Sequence, residues 1–262
     1  MSELMSDHQT LHTLYLTNIK IKKMYKLFIA IFWLSIIFVS YTYFGYPILL
    51  VILAKLLGRN VAKKNIIPSV SMIITAYNEE KNIRSKLENV MNLDYPKDKL
   101  EIIVVSDAST DKTDDIVHEY EIRTQNDTQK NSAPIKLIRM PKRGGKASAL
   151  NSTVPKAKGD IVVLSDTRQL YDKNAIRELV SNFNDPSVGA VSGELYLENP
   201  EGGGVGEGVG MYWKYEKLMR KMESRLYSTS GATGAIYAIR KELFKPIPDD
   251  TILDDVVIPM NI

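Results

Sequence analysis

A run of 28 residues without a charge, Leu27 to Ala54, constrains the fold of this chain more than any other feature. At about 1.5 Å per residue these residues form a helix of roughly 42 Å, which is longer than the hydrocarbon core of a bilayer, about 30 Å. A cleavable signal peptide has a shorter apolar core, and the remaining alternative is a core helix of a soluble domain. We therefore predict one retained transmembrane helix at residues 27–57, after an N-terminal tail at residues 1–26.

The tripeptide Gly45-Tyr46-Pro47 predicts a kink or an end of the spanning portion, because proline removes a helix hydrogen bond. Aromatic side chains around it are typical of a membrane interface. Four basic residues precede the apolar run closely and four follow it, so the charge rule leaves the orientation open.

Composition excludes several classes of function. The chain has no cysteine and three histidines, which excludes disulfide frameworks, thiolate nucleophiles and cysteine zinc sites. The net charge of +3 is unevenly spread, since residues 1–65 hold eight basic and two acidic side chains and residues 66–262 hold 26 and 29. Because the larger part has no basic excess, we expect no nucleic-acid partner.

Residues 66–262 alternate short β-branched runs with amphipathic helical patterns, which is typical of βαβ units and a mostly parallel sheet covered by helices on both faces. We predict strands at 70–75, 100–106, 135–139, 160–165 and 188–196, and helices around 83–91, 147–154 and 175–183. Ligands of such sheets bind beyond the carboxyl ends of the strands, so the chemistry is expected there. The glycine-rich segment Gly202 to Gly210 has neither phosphate-loop nor dinucleotide spacing, and we interpret it as a flexible connection, or alternatively as a lid.

Polar side chains follow the first two strands. Asn78 either caps the helix that follows it, or marks a helix start whose free backbone N–H groups bind an anion. The residues from Ser106 to Asp111 offer two carboxylates and three hydroxyls, which suit a ribose and a base, although Asp111 taken alone is better explained as the cap of the helix that starts near Lys112.

The third and fourth strand ends suit phosphate and metal. Pro141 to Lys146 places three cations and two glycines before a helix, where N–H groups and the helix dipole favour a diphosphate, although a solvated basic turn has the same pattern. Asp166 offers one carboxylate to a divalent cation. The pair Asp254-Asp255, taken alone, is typical of an acidic surface loop.

In this combination and order, the motifs resemble those of membrane-anchored family 2 glycosyltransferases, in the superfamily of cellulose synthase and hyaluronan synthase. The resemblance covers about residues 40 to 262. It implies that residues 66–262 are the catalytic domain and have the GT-A fold, which is a Rossmann-like α/β fold with a mostly parallel sheet between helices. The transmembrane helix precedes this domain.

The resemblance also implies roles for individual residues. The donor-binding positions of the family fall on Ala76, Tyr77, Asn78, Glu79, Asp107, Asp111, Gly145, Lys146, Asp166 and Arg168. The metal-binding D-x-D falls on residues 166–168, so Asp166 is the expected ligand of Mg²⁺ or Mn²⁺ and Arg168 replaces the second carboxylate. The acceptor-side acidic pair falls on Asp254 and Asp255, with Asp255 as the base, and Gly231 and Gly234 match the turn that shapes the acceptor pocket.

The implied reaction is the inverting transfer of a sugar from a nucleoside-diphosphate sugar, in the first place a UDP-sugar, to a glycan or lipid-linked acceptor. The membrane is the expected location, with the catalytic domain facing the cytoplasm, where nucleotide sugars are made. Family members continue beyond the position of Ile262 into a Q-x-x-R-W element, which implies a C-terminally incomplete domain. Two rivals remain: an inactive membrane-anchored fragment that binds nucleotide or a partner, and a sugar nucleotidyltransferase.

Overall fold

The computed structural model describes residues 2–129, 131–196 and 205–262. The chain forms two compact units. The first comprises Met1–Arg59 and Met211–Tyr227, and the second comprises Asn60–Gly210 and Ser228–Ile262. The segment 211–227, which the sequence analysis placed in the catalytic domain, thus groups with the N-terminal helices.

The first unit begins with a long helix, α1 (Ser2–Ser40), which passes through a π-helical turn (Tyr41–Gly45) into α2 (Tyr46–Leu56). The helix therefore does not end at Gly45-Tyr46-Pro47. Pro47 cannot donate to the carbonyl four residues earlier and its ring crowds that carbonyl, and the π turn lies directly before it. The 37 residues Lys20–Leu56 are long and apolar enough to cross a membrane.

A further helix, α7 (Val205–Leu226), completes this unit. Its Met219 and Met222 pack against Leu50 and Ala54 of α2. The expectation of a flexible connection at 202–210 is wrong for residues 205–210, which form the first turns of α7; residues 202–204 lie outside the described residues. Helical hydrogen bonds outweigh the roughly 1 kcal/mol that each glycine costs in a helix.

The second unit is built on a six-stranded sheet with the order β3-β2-β1-β4-β6-β5. The strands are β1 (Val70–Ala76), β2 (Leu100–Ser106), β3 (Ile135–Arg139), β4 (Ile161–Asp166), β5 (Ala190–Ser192) and β6 (Ile236–Arg240). The four strands from β3 to β4 are parallel, whereas β6 runs antiparallel to both β4 and β5. The predicted α/β class is confirmed, with one reversed strand that the sequence analysis did not identify.

Helices cover both faces of this sheet because successive residues of each strand point to opposite sides. They are α3 (Ile83–Met91), α4 (Thr113–Gln125), α5 (Gly145–Thr153), α6 (Ala175–Ser181) and α8 (Asp254–Met260). Met72 and Ile74 of β1 join a core with α3, α4 and α6, whereas Ile73 joins a second core with α5 and α8. Both cores extend to the strand ends, so they hold the loops that follow.

β5 is shorter than the predicted 188–196. Its neighbour β6 begins at Ile236, whose carbonyl accepts the Gly193 N–H at 2.9 Å, so the pairing with β6 stops there. A Cβ at Gly193 would lie 2.3 Å from Ile236 Cγ2, which explains why glycine occupies this position.

Candidate functional site

The carboxyl ends of three parallel strands and the amino end of β6 lie at one edge of the sheet. Because β1, β2 and β4 are parallel, Ala76 lies beside Ser106 and Thr75 beside Asp166 at their carboxyl ends. β6 is antiparallel, so it starts where the others end, with Ile236 paired to Ser165. The loops that carry the predicted donor residues and the turn 231–234 therefore leave the sheet from the same edge.

The Asp107 carboxylate is held by the glycine turn before α5. Its Oδ1 accepts a hydrogen bond from the Gly144 N–H at 2.7 Å, and its Oδ2 accepts one from the Gly145 N–H at 2.9 Å. Gly145 has a φ of +82°, a conformation that favours glycine. The structure thus corrects one assignment: two of the N–H groups that the sequence analysis gave to a diphosphate already bind an internal carboxylate.

Asn78 joins the loops after β1 and β2. Its Oδ1 accepts a hydrogen bond from the Thr110 N–H at 2.8 Å, and its own N–H donates to Ser109 Oγ at 3.2 Å. Asn78 and Ala108 have φ values of +52° and +56°, and such conformations cost about 1–3 kcal/mol for non-glycine residues. The capping alternative for Asn78 is wrong, since α3 begins only after Asn82.

Asp111 makes the contacts of a helix cap. Its Oδ1 accepts hydrogen bonds from the Thr113 N–H at 3.0 Å and from Thr113 Oγ1 at 2.6 Å, at the start of α4, and its Oδ2 accepts one from the Glu80 N–H at 3.1 Å. Desolvation acts to raise the pKa of Asp111, but these hydrogen bonds outweigh it and hold the pKa below its usual value. A contact of Asp111 with ribose or base stays a prediction.

Lys146 connects three elements of the site. From α5, its Nζ lies 2.8 Å from Asp166 Oδ1 at the end of β4 and 3.2 Å from Asp254 Oδ1 at the start of α8. Burial disfavours its charged form, but the carboxylates of Asp254 and Asp166 outweigh this and raise the pKa of Lys146 above its usual value. Lys146 therefore stays protonated at neutral pH.

Asp254 is the more deeply buried member of the acidic pair, with a side chain 6% exposed. Its Oδ2 accepts a hydrogen bond from Tyr237 Oη at 3.1 Å. Burial raises the pKa of Asp254 despite the attraction of Lys146, and burial followed by the charge of Asp254 raises the pKa of Tyr237. Asp254 therefore anchors Lys146, and its position does not suit proton abstraction from a bulky substrate.

Asp255 lies against the predicted acceptor turn. Its carbonyl accepts the Ala232 N–H at 2.7 Å. A Cβ at Gly234 would lie 2.8 Å from Asp255 Oδ2, and one at Gly231 would lie 3.1 Å from Val256 Cγ2. The two glycines thus leave room for α8 and for the Asp255 carboxylate, which is partly exposed.

Arg168 forms an ion pair with Glu79. Its Nε donates to Glu79 Oε1 at 2.9 Å, and Asn82 Nδ2 donates to Glu79 Oε2 at 2.7 Å. Glu79 is largely buried with a side chain 12% exposed, whereas the Arg168 side chain is 72% exposed. Glu79 therefore holds Arg168 at the rim of the site, and the guanidinium remains accessible to solvent.

Tyr77 and Arg143 form an exposed platform beside these loops. The Arg143 guanidinium carbon lies 4.0 Å from the centre of the Tyr77 ring. The preceding residue, Ala76, is buried, and its carbonyl accepts the Asp107 N–H at 2.9 Å. The two faces of this stacked pair suit a flat, polar ligand group.

The arrangement fits a divalent cation only in part. Asp166 is partly exposed, with a side chain 37% exposed, and only its Oδ1 is bound by Lys146. In the ranges that the structure describes, no group of three or more acidic or histidine side chains could hold a metal ion alone. The residues therefore suit a cation that takes one ligand from Asp166 and the others from a bound diphosphate and water.

Two tyrosines that organise this site were not predicted from the sequence. Tyr237 was missed because β6 was not identified, although the run Ile236 to Arg240 follows a glycine turn and is rich in β-branched and aromatic residues. Tyr171 Oη donates to the Ala235 carbonyl at 2.7 Å and lies 2.5 Å from Ser165 Oγ. No local pattern predicts that contact, because 64 residues separate Tyr171 from Ala235.

Comparison with known proteins places this arrangement in a family. Residues 71–247, about two thirds of the chain, match the model of Glycosyl transferase family 2. The probable glycosyltransferase YdaM of Bacillus subtilis (strain 168) is 40% identical over 135 residues, which cover 51% of this chain and 31% of YdaM. The poly-beta-1,6-N-acetyl-D-glucosamine synthase of Staphylococcus aureus (strain COL) is 32% identical over 131 residues, 50% of this chain and 29% of the synthase. The chain thus matches less than a third of either relative.

A solved structure agrees with the sequence relatives. The mannosyltransferase PcManGT of Pyrobaculum calidifontis, solved in complex with GDP-Man and Mn²⁺, is similar with a TM-score of 0.67 and 31% identity. The similarity covers 84% of this chain and 60% of that protein. It confirms the predicted GT-A fold for the greater part of the chain.

Proposed function

Because this chain belongs to glycosyl transferase family 2, we propose that it transfers a sugar, with inversion, from a nucleoside-diphosphate sugar to a glycan or lipid-linked acceptor at a membrane. The observation that carries the proposal is the position of Lys146, whose Nζ contacts both Asp166 and Asp254. This contact joins the donor side, at the end of β4, to the acceptor side, at the start of α8. A transferase must hold donor and acceptor side by side, with the two reacting atoms about 3–3.5 Å apart before the bond forms.

Asp255 is the proposed general base. It takes the proton of an acceptor hydroxyl while the hydroxyl oxygen attacks the anomeric carbon. The new carbon–oxygen bond forms as the bond to the diphosphate breaks on the opposite face, so the anomeric configuration inverts. One base suffices, because the diphosphate leaves as an anion and needs no proton.

Lys146 and Arg168 are proposed to stabilise the departing diphosphate. Lys146 keeps its proton at neutral pH, and the exposed guanidinium of Arg168 lies beside the same strand end. Fixed positive charges aimed at a developing negative charge lower the barrier. Asp166 would hold Mg²⁺ or Mn²⁺, which when bound neutralises part of the diphosphate charge.

The proposed nucleoside subsite is the joined pair of loops after β1 and β2. Asn78 fixes one loop to the other, and Tyr77 with Arg143 offers the platform for a planar ring. We propose a UDP-sugar as the first donor to test, and the GDP-Man bound by PcManGT makes a GDP-sugar the necessary comparison.

We further propose that the helix Lys20–Leu56 anchors the protein in a membrane as a single pass, with the catalytic unit in the cytoplasm. Its length and its run of apolar side chains support this. The cytoplasm is the compartment in which nucleotide sugars are available.

The experiment uses the full chain in detergent. Calorimetric titrations with UDP and GDP, with and without Mn²⁺, are combined with assays of sugar release from UDP-GlcNAc, UDP-glucose and GDP-mannose. Binding of one nucleotide together with sugar release or transfer from its donor is expected. Nucleotide binding without any sugar release would identify an inactive fragment, and consumption of a nucleoside triphosphate with a sugar phosphate would identify a nucleotidyltransferase; either result contradicts the proposal.

A further inference from the structure

Lys86 of α3 is a fully buried lysine, with 0% of its surface exposed. Its Nζ donates a hydrogen bond to the Gln169 carbonyl at 2.7 Å and lies 3.6 Å from the centre of the Tyr171 ring. Burial lowers its pKa to about 7, against the opposing attraction of Asp166. Burying an ammonium costs free energy unless it is paired and hydrogen-bonded, and within the described part of the chain Lys86 has only one hydrogen bond and one ring contact to offset that cost.

Both contacts of Lys86 lie on the segment that follows Asp166 and carries Arg168. A second residue of α3 holds the same segment: Asn89 Nδ2 donates to the Tyr171 carbonyl at 3.0 Å, and the Tyr171 N–H donates to Asn89 Oδ1 at 2.9 Å. At the start of the segment, Thr167 Oγ1 donates to the Thr75 carbonyl at 2.8 Å. The segment 167–171 is thus hydrogen-bonded to β1 at its start and to α3 at its end.

Tyr171 also connects the segment 167–171 to the acceptor side of the site. Its hydroxyl donates to the Ala235 carbonyl, which also accepts the Asp166 N–H at 3.3 Å. Ala235 follows Gly234, the residue against which the Asp255 carboxylate lies. A displacement of the Tyr171 ring would therefore change the positions of both Asp166 and Asp255.

We propose that Lys86 is a positioning residue: its ammonium fixes the Gln169 backbone and the Tyr171 ring, and through them the geometry of Asp166 and Arg168. This inference rests on the proposed function, because it assigns Lys86 to the donor site of that reaction. A methionine would fill nearly the same volume without burying a charge, so a purely structural role does not call for lysine.

Lys97 provides a matched control. Like Lys86, it is a lysine whose ammonium binds backbone carbonyls, although it is only partly buried. Its Nζ donates to the carbonyls of Met91 and Leu93 at 2.7 and 2.9 Å. It lies in the turn Lys97–Lys99 that leads into β2, at the amino edge of the sheet and therefore opposite the site. Lys97→Met removes a similar ammonium without touching segment 167–171.

The test compares wild type, K86M, K86R and K97M as full chains. Amide hydrogen exchange of residues 167–171 is measured together with the affinity for UDP and Mn²⁺ and with kcat and KM for the donor. K86M is expected to exchange faster in that segment and to lose about 10- to 100-fold in kcat/KM, as for other residues that orient a ligand-binding group. Its thermal midpoint should be no lower than that of wild type, and K86R should recover part of the loss.

Wild-type exchange and kinetics in K86M would overturn the inference, as would equal losses in K86M and K97M. A wild-type protein that neither binds nucleotide nor releases sugar would contradict the proposed function instead. In that case the exchange of residues 167–171 still decides whether Lys86 positions the segment.

Discussion

At the scale of single residues, the charge of Lys146 holds the buried carboxylate of Asp254 in place. Removing the ammonium in K146M leaves that carboxylate without its cation, and breaking a buried ion pair in this way costs about 3–5 kcal/mol. We expect a lower thermal midpoint and weaker UDP binding. The double variant K146M/D254N removes both charges and should recover most of the stability but not the UDP binding. Calorimetry measures the binding, and thermal unfolding measures the stability. If the double variant loses the sum of the stability losses of K146M and D254N, the two side chains are not coupled and the interpretation is wrong.

Arg168 determines how much the donor site depends on a metal. In R168D a second carboxylate replaces the guanidinium, which restores the D-x-D pattern at residues 166–168. Because divalent cations bind more tightly to two carboxylates than to one, UDP affinity should become more dependent on Mn²⁺. R168A is the control, because it removes the guanidinium and its ion pair with Glu79 without adding a carboxylate. Equal Mn²⁺ dependence in wild type, R168D and R168A would show that residues 166 and 168 do not face the diphosphate.

Lys86 makes stability depend on pH in a defined direction. The folded protein releases the Lys86 proton at about pH 7, whereas the unfolded chain keeps it up to its usual value of 10.5. Between these values the unfolded state binds more protons, so the free energy of unfolding rises with pH relative to K86M. Asp166 opposes this shift by its charge, and the facing Tyr171 keeps its proton because burial raises its pKa. Denaturant unfolding of both proteins at several pH values measures this. A wild-type free energy of unfolding that stays constant or falls relative to that of K86M above pH 7 would contradict the assignment.

At the scale of elements, the turn between α7 and β6 sets the position of the base. In G234A the new Cβ would lie 2.8 Å from Asp255 Oδ2, so the carboxylate must move. A small displacement of a catalytic group can lower the rate about 100-fold, and we expect such a loss with unchanged donor affinity. G210A is the control, because a Cβ at Gly210 of α7 meets no neighbouring atom. Equal activity in G234A and G210A would show that Asp255 is not positioned by this turn.

The elements that the sequence predicts well are those defined by their own composition. The parallel strands β1 to β4 are short apolar runs in a doubly covered sheet, and their bounds agree with the prediction to within a residue. The helix α7 and the strand β6 were not predicted, because their neighbours in space determine their structure. Glycines in α7 suggested a linker, and Ile236 to Arg240 becomes a strand by pairing with β4 and β5.

At the scale of the whole molecule, the order of the motifs along the chain predicted which residues share one sheet edge, but not which atoms they contact. Asp107 was expected to face the donor, and the motif gave no sign that its carboxylate also accepts hydrogen bonds from the glycine turn. Asp254 and Asp255 were treated as a pair, whereas the structure buries the first against Lys146 and leaves the second partly exposed. Such partners come from segments about 20 to 100 residues away, which no local pattern encodes.

The proposed reaction depends on Asp255, which acts as the general base for the acceptor beside a donor site formed by residues 76 to 168. Its most direct test is the rate of sugar transfer by wild type, D255N and D250N, measured beside the affinity of each for the nucleotide. Asp250 is an exposed aspartate in the preceding loop and serves as the matched control. The account predicts that D255N binds the nucleotide like wild type and loses about 10² to 10⁴ in rate, while D250N keeps both; transfer by D255N at the wild-type rate would contradict it.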